Sequence, residues 1–418
     1  MSKYNYRSPV NMIVAVDAIA FSLLYLYKIP FDPYLLLVGG LLIAFIYVIN
    51  LILVKADLGD IYLFSIVAML SSLGVIMLYR LDPYYGFKQI VWFGVGSVLF
   101  FIAYFVYRKW NIWGKLIYVY PAVSFALFLL TLTIGTTIKG ATNWIQIGGH
   151  TFQPSEIIKL LFIFFLAAYY SNPEKLTLKI KGIELKNKYV CGAIVYAHMG
   201  FLVLQKEFGI TLLLFLIYFA FLYVFEEQRS LLLLNLALAA VGGAFSFLLV
   251  HHVQIRVETW LNPWADISGS GYQITQSLFA IGSGGFFGTG IGLGRPDFIP
   301  EVHTDFIFSV ICEEMGIFGG IAVVLLYFLL AYRGIKMTLA IQNMFQKCVA
   351  LGLTVMFGFQ TFIIIGGVIK LIPLTGITLP FISYGGSSLI ISFIALGILQ
   401  AISKKSTEVE EEKVYETE

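Results

Sequence analysis

Long apolar segments recur along the whole chain, and many reach the roughly 20 residues that a helix needs to cross the hydrocarbon core of a bilayer. Charged residues make up only 12% of the 418 residues, whereas about 25% is usual for a soluble protein. The sequence therefore predicts an all-α fold, that of a polytopic integral membrane protein.

The hydropathy pattern predicts about twelve membrane helices. The first is expected to be retained rather than removed as a signal peptide, because no cleavage site of small residues accompanies it. The approximate spans are 10–28, 33–54, 61–79, 89–107, 115–135, 155–170, 188–205, 208–225, 231–252, 304–331, 347–370 and 377–402.

Lysine and arginine residues divide unequally between the two sides of such an arrangement. With the N-terminus placed in the cytoplasm, most of them fall in cytoplasmic segments, as the positive-inside rule requires. Both termini are therefore predicted to be cytoplasmic. We expect segment 404–418 to be a charged, disordered tail, and the lysine-rich loop 171–188 to be a topology signal near anionic lipid.

Two segments on the predicted outer side, 136–156 and 253–303, are too polar to span the membrane. The second is far longer than the roughly 15 residues of an ordinary loop, and it is rich in glycine and aromatic residues. We expect it to fold against the outer membrane surface, so that the working face is extracytoplasmic. Around 272–279 its apolar and polar residues alternate, which predicts a short amphipathic helix.

Asp266 follows an aromatic, proline-containing turn in this loop and is the only acid between Glu258 and Asp297. A carboxylate against an apolar interface can serve as a general base, although "ADISG" is equally good chemistry for a turn. The glycines from Gly282 to Gly294 leave bare backbone N–H groups, which suit a diphosphate. Tight turns and close helix approach are the alternative explanation for them.

The segment "QPSEIIKLLFIFF" places Glu156 and Lys159 three residues apart, so both lie on one helix face. Lys159 falls about a turn inside the membrane, where a cation is costly and indicates a functional site. Glu156 and Glu207 are its candidate partners. The alternative is a capping turn at Glu156, with Lys159 reaching back to the outer surface.

Segment 370–390 is apolar but is broken by two prolines and by the pair Gly385–Gly386. Non-helical backbone at membrane depth is tolerated only inside protein or along a cavity. The alternative is an outer loop followed by a helix that packs through small residues. In the first case a cavity would be lined by Gly385 and by Ser383, Tyr384, Ser387 and Ser388.

The stretch "FIPEVHTDFIFSVICEE" concentrates charged residues at the start of an apolar helix. We expect the helix to begin near His303 or Thr304, with Asp305 in its first turn, where the helix dipole favours an acid. Together with Glu301, these residues would frame a cavity. Glu313 and Glu314 are expected to face the bundle interior near a cation such as Lys159.

Four motifs, taken together and in this order, resemble the FtsW/RodA/SpoVE (SEDS) family of bacterial cell-wall proteins. They are "GATNWIQIGGHTFQPSEIIK", "NPWADISGSGYQITQSLFAIGSGGFFGTGIGLG", "IPEVHTDFIFSVICEEMGIFGG" and "PLTGITLPFISYGGSSL". The resemblance implies a ten-helix glycosyltransferase core at 61–403 in the bacterial cytoplasmic membrane, preceded by an extra helix pair at 1–60. It further implies polymerisation of lipid II, the undecaprenyl-diphosphate-linked disaccharide-pentapeptide, for elongation, division or sporulation.

The resemblance also assigns roles to residues. The family's essential aspartate matches Asp266, its Glu and Lys match Glu156 and Lys159, and its loop arginine matches Arg256. Glu207 stands where the family commonly has aspartate, Ile364 where asparagine is frequent, and Ile267 where proline is common.

The implied partners are lipid II and the growing glycan-lipid, a class B penicillin-binding protein and membrane lipids, with no nucleic acid. A divalent cation, Mg²⁺ or Mn²⁺, stays open as a cofactor because no ligand cluster in the sequence identifies one. Two rival functions also stay open. A lipid II flippase would fit the helix count and the broken helices, and a non-catalytic scaffold would need no base.

Overall fold

A computed structural model of the chain describes residues 7–27, 32–138, 141–148, 150–180 and 183–417. These residues form fourteen α-helices, with five short strands in two small sheets. The helices are α1 Arg7–Tyr27, α2 Pro33–Lys55, α3 Ile61–Leu81, α4 Pro83–Lys109, α5 Val119–Ile134, α6 Pro154–Ser171, α7 Asn187–Leu204, α8 Phe208–Phe225, α9 Arg229–Leu249, α10 His251–Leu261, α11 Tyr272–Gly284, α12 Ile307–Ala340, α13 Met344–Val368 and α14 Gly386–Thr417.

Within the described part of the chain, ten helices are long and apolar enough to cross a membrane. Two other predicted spans are present as α5, which is shorter, and α7, which is not among the ten. The all-α, polytopic class is confirmed, while the count of about twelve spans and the cytoplasmic termini stay predictions.

The tripeptide Asp-Pro-Tyr occurs twice, and each copy begins a helix. Asp32 accepts a hydrogen bond from the Tyr34 N–H at 3.0 Å before α2, and Asp82 accepts one from the Tyr84 N–H at 2.8 Å before α4. Proline suits the first helical position because its missing N–H is not needed there. The second copy explains why α4 begins at Pro83, well before the predicted start at residue 89.

The chain divides into two compact units, each with buried aromatic side chains of its own. The first contains residues 1–104, 247–333 and 360–407. The second contains residues 105–246, 334–359 and 408–418. Phe64 and Phe393 are fully buried in the first unit, as Phe162 and Phe221 are in the second.

Glycines let backbones approach closely inside the first unit. A Cβ on Gly74 of α3 would lie 2.7 Å from the Ile382 carbonyl oxygen. A Cβ on Gly397 of α14 would lie 2.3 Å from the Phe100 carbonyl oxygen. A larger residue at either position would collide with backbone, so these two contacts depend on glycine.

The segment between α13 and α14 is non-helical from residue 369 to 385, as the proline and glycine pattern predicted. Leu379, Phe381 and Ile382 within it are buried, so protein rather than lipid surrounds much of this backbone. The helix that was predicted from residue 377 begins only at Gly386. It also continues through Thr417, over the segment that was predicted to be a charged tail.

The second unit contains both sheets, which the sequence analysis did not anticipate. Strands β1 (Thr136–Ile138), β2 (Ala141–Ile147) and β3 (His150–Phe152) form an antiparallel sheet in the segment before α6, which was predicted to lie on the outer side. Strands β4 (Leu178–Ile180) and β5 (Ile183–Leu185) form a hairpin in the lysine-rich loop. Strands this short carry too few alternating positions to stand out from a polar loop.

Candidate functional site

Asp266 ends a short 3-10 helix, Pro263–Asp266, and its side chain is exposed. Its Oδ2 accepts hydrogen bonds from the Ser270 N–H at 2.8 Å and the Ser270 hydroxyl at 3.3 Å. A Cβ on Gly269 would lie 2.2 Å from that oxygen, so the turn closes only around glycine. The turn role is therefore confirmed, and it holds the exposed carboxylate in one orientation.

The amphipathic helix predicted beside Asp266 is present as α11. Its Ile274, Ser277 and Ala280 are buried, and the Ser277 hydroxyl lies 2.7 Å from that of Ser309 on α12. On the opposite face, Phe279 is exposed and its ring centroid lies 5.7 Å from that of Trp264. The helix thus connects the turn that carries Asp266 to α12.

Arg256 on α10 lies close to Asp305. Its Nη1 donates a hydrogen bond to the Leu374 carbonyl oxygen at 3.1 Å. Arg256 Nη2 and Asp305 Oδ2 each lie 3.5 Å from the position that a Cβ on Gly376 would take. Burial lowers the pKa of the Arg256 guanidinium, and the Asp305 carboxylate opposes that shift. Two of the predicted site residues are therefore brought together.

Glu301, His303 and Asp305 lie in turns before α12 rather than in its first turn. The Glu301 carbonyl oxygen accepts from the N–H groups of Thr304 and Asp305 at 3.2 and 3.1 Å, and Glu301 itself has a φ of 56°. Because α12 begins at Ile307, a few residues after the predicted start, Asp305 precedes the helix instead of lying in its first turn.

His303 stacks on an aromatic ring that the sequence analysis did not single out. Its ring centroid lies 4.2 Å from that of Tyr85, with the planes 10° apart. Tyr384 contacts both, with its ring 4.8 Å from Tyr85 and its N–H donating to the His303 carbonyl oxygen at 2.9 Å. The motifs that contain His303 and Tyr384 thus meet at this stack.

Ser383 supports the backbone of this region instead of facing a cavity. Its side chain is buried, its hydroxyl donates to the Thr304 carbonyl oxygen at 2.5 Å, and it accepts from the Leu379 N–H at 2.9 Å. Ser388 is also buried, with its hydroxyl 2.8 Å from that of Thr378. Gly385, Tyr384 and Ser387 remain partly exposed.

The glycine-rich run 282–294 packs onto α12 at a kink, where Gly316 has a φ of 69°. The Gly292 N–H donates to Glu314 Oε2 at 2.9 Å, and the Arg295 N–H donates to Glu313 Oε1 at 2.8 Å. Among the N–H groups proposed for a diphosphate, that of Gly292 is therefore bound by a carboxylate, and those of Gly288 and Gly290 are bound by backbone carbonyl oxygens. The alternative, close helix approach, is the confirmed explanation for this run.

The cation beside Glu314 is Arg80, at the end of α3. Arg80 Nε lies 2.5 Å from Glu314 Oε1, and Arg80 Nη2 donates to the Gly294 carbonyl oxygen at 2.7 Å. The expected cation beside Glu314 is therefore present as Arg80, while a pairing with Lys159, which belongs to the second unit, stays a prediction. Arg80 was not predicted as a site residue, because a single arginine at the end of an apolar helix is typical of residues that fix a membrane helix at the lipid–water interface.

In the second unit, Lys159 and Glu156 form the predicted pair on α6, with Nζ 2.8 Å from Oε2 and both side chains almost fully buried. Glu207 lies in the tight turn between α7 and α8 and accepts from Gln153 Nε2 at 3.0 Å. Burial raises the pKa of the Glu207 carboxyl, and Gln153 opposes that shift. Lys159 and Glu207 thus each have a partner within this unit.

Among the residues that the structure describes, no cluster of three or more His, Cys, Asp or Glu could hold a metal ion. The three cysteines, Cys191, Cys312 and Cys348, are free and buried, as expected for small core residues.

Comparison with known proteins gives consistent matches. The model of the FtsW/RodA/SpoVE family, described as cell cycle proteins, matches residues 53–408. The peptidoglycan glycosyltransferase RodA of Mycobacterium tuberculosis H37Rv is 36% identical, over 83% of this chain and 78% of its own. Stage V sporulation protein E of Bacillus subtilis 168 is 36% identical, over 84% of this chain and 99% of its own.

Among solved structures, similarity extends to a peptidoglycan synthase complex described as coordinating polymerization and crosslinking. One of its chains aligns with a TM-score of 0.70 at 29% identity, covering 83% of this chain and 98% of that chain. The similarity therefore extends over most of the fold.

Proposed function

The chain belongs to the FtsW/RodA/SpoVE family, and we propose that it polymerises lipid II at the extracytoplasmic face of the membrane with Asp266 as general base. It is a peptidoglycan glycosyltransferase and a multi-pass membrane protein. The observation that carries the proposal is an exposed carboxylate fixed by its own turn, within the part of the chain that matches the family model.

The reaction needs a base and positively charged groups that stabilise the negative charge of the leaving group. A sugar hydroxyl of one lipid II attacks the anomeric carbon of the growing chain, and the bond to the lipid diphosphate breaks. Asp266 takes the hydroxyl proton, a contribution typically worth about 10²–10⁴-fold in rate. Its Oδ1 forms no hydrogen bond with a described residue, which leaves that oxygen open to a substrate hydroxyl.

The leaving diphosphate calls for preorganised positive charge. Arg256 is the candidate in the first unit, because the Leu374 carbonyl oxygen and Asp305 fix its guanidinium. Lys159 is the candidate in the second unit, where Glu156 holds it. A divalent cation could share this work.

The central experiment compares Asp266→Asn with Asp297→Asn, a matched change at another exposed aspartate of the same loop. Purified protein is incubated with lipid II in detergent, and glycan strands are resolved on a gel. We expect Asp266→Asn to lose about 10²–10⁴-fold in polymerisation rate and Asp297→Asn to retain activity. An active Asp266→Asn variant would exclude this base.

The same assay separates the rival functions, since detergent provides no membrane to cross. Glycan from wild-type protein excludes a pure flippase and a pure scaffold. We further propose a class B penicillin-binding protein as partner, supported by the similarity to a chain of a synthase complex. If wild-type protein is inactive alone, adding that partner tests whether it is required.

We also propose that residues 1–60 are an N-terminal helix pair added to a catalytic core at 61–403, followed by a cytoplasmic segment at 404–418. The family match starts at residue 53, after nearly all of α1 and α2, which supports this division.

A further inference from the structure

A cavity of about 170 Å³ lies in the second unit among α6, α7, α8 and α9. Tyr169, Tyr170 and Tyr218 line it together with leucines of α9. A second, wider cavity of about 590 Å³ shares Tyr169 and Tyr170 with the first. Ligand sites in proteins commonly have about 300–1,000 Å³, so the joined space is large enough for a lipid segment.

The wide end of this space is basic. Lys186 and Lys188 line it, with Glu226 as the acid among its lining residues. The Lys188 ammonium donates to the Gln228 side-chain oxygen, a neutral partner, and forms no ion pair with a described carboxylate. One acid therefore faces two lysines, which leaves net positive charge for an anionic ligand.

The narrow cavity shares Lys188 and Glu226 with the wide one. The rest of its lining is mostly apolar or tyrosine, with Asn235 as a further polar residue, and it reaches the membrane-facing side of the unit. Leu231, Leu234 and Leu238 of α9 line it at helical spacing, and the last two are 50% and 45% exposed. Only 6% of the membrane-spanning window of α9 is buried within the chain, so hydrocarbon can reach this wall. A ligand with a charged head and an aliphatic tail fits both ends, whereas free phosphate fits only one.

We propose that this cavity binds an anionic phospholipid, with its phosphate at Lys186 and Lys188 and an acyl chain along the α9 leucines. Basic pockets between membrane helices bind such headgroups. The predicted orientation places the lysines on the cytoplasmic side, so the lipid belongs to the inner leaflet. The site does not depend on Asp266 or on the polymerisation reaction.

The shape of the cavity is tested with Gly192→Leu on α7. A Cβ on Gly192 would have only the Tyr218 hydroxyl within 4 Å, at 3.7 Å, so the leucine side chain extends into the cavity. Gly200→Leu on the same helix is the matched control, because a Cβ there would meet nothing within 4 Å and the residue is exposed. Native mass spectrometry of the full chain, titrated with phosphatidylglycerol or phosphatidylcholine, measures bound lipid.

We expect wild-type and Gly200→Leu protein to bind phosphatidylglycerol in preference to phosphatidylcholine, and Gly192→Leu to lose that binding. The charge is tested by the Lys186→Gln/Lys188→Gln double variant, whose preference for phosphatidylglycerol should fall by about fivefold for each lysine. Lys55→Gln, at an exposed lysine elsewhere, should change nothing.

Three results would overturn the proposal. They are equal binding of the two lipids by wild-type protein, unchanged binding in both the Gly192→Leu and the double lysine variants, and displacement of the lipid by glycerol phosphate at equal concentration. The last would identify a site for a soluble anion. Because the lysine variants leave the helix packing intact, the test holds even if Gly192→Leu fails to fold.

Discussion

Arg80 and Glu314 form a buried ion pair, with 2.5 Å between Nε and Oε1 and with the Glu314 side chain inaccessible to solvent. Each partner also holds the glycine-rich loop, Arg80 through the Gly294 carbonyl oxygen and Glu314 through the Gly292 N–H. The pair therefore connects the end of α3, the loop and α12 within the first unit.

Arg80→Leu should destabilise the protein strongly, because it leaves the Glu314 carboxylate buried without its cation. Breaking one side of a buried pair costs about 3–5 kcal/mol, whereas replacing both partners is often neutral. We expect a lower apparent Tm in detergent for Arg80→Leu and partial recovery in Arg80→Leu/Glu314→Leu. Arg295→Leu, at an exposed arginine nearby, is the control. A double variant no more stable than Arg80→Leu would contradict this account.

Glu207→Gln should remove a pH dependence of stability. Burial raises the pKa of Glu207 above the ordinary value of 4.5, so the folded protein binds this proton more tightly than the unfolded chain does. The resulting stabilisation is complete below pH 4.5 and is lost as the pH rises through the folded-state pKa.

The measurement is the difference in apparent Tm between wild-type protein and Glu207→Gln, from about pH 4.5 to about pH 8. The apparent Tm of the wild-type protein should fall relative to that of Glu207→Gln as the pH rises. Glu227→Gln, at an exposed glutamate, should give a flat difference. A flat line for Glu207→Gln as well would show that its carboxyl is not perturbed.

His303→Ala should cost more than His303→Phe, because the stack on Tyr85 needs a flat ring rather than an imidazole. Stacked aromatic pairs are typically worth about 0.5–1.5 kcal/mol, so the loss in stability should be modest. We expect polymerisation to fall in His303→Ala and to persist in His303→Phe. If both variants lose activity equally while remaining folded, the imidazole itself contacts the substrate.

The sequence could predict features that depend on neighbours along one helix. Lys159 and Glu156 are three residues apart, and a helix brings residues at that spacing together whatever surrounds it. The same holds for α11, whose alternation of apolar and polar residues specifies a buried face. Membrane spans follow from composition alone.

Long-range partners could not be predicted in this way. Glu314 pairs with Arg80, which lies far from it in the sequence. The N–H groups of Gly292 and of Arg295, just after the glycine-rich run, are bound by the acids Glu314 and Glu313 that follow in the chain. Glycine is used both for binding anions and for close packing, and spacing alone does not separate the two. The position of the His303 ring likewise depends on Tyr85, which lies outside the four family motifs.

Asp17 in α1 provides the last test, because it is a fully buried acid in a membrane helix that the sequence analysis did not single out. Its Oδ2 accepts from the Ser72 hydroxyl of α3 at 2.9 Å, and Oδ1 has no hydrogen-bond partner among the described residues. Ser72→Ala should therefore lower the apparent Tm, since an unsatisfied buried polar group costs about 1–3 kcal/mol. The double variant Asp17→Leu/Ser72→Ala should recover the lost stability. Ser65→Ala is the control, because the Ser65 hydroxyl donates only within its own helix, to the Ile61 carbonyl oxygen. A double variant that is stable but inactive in polymerisation would instead assign Asp17 a role beyond joining α1 to α3.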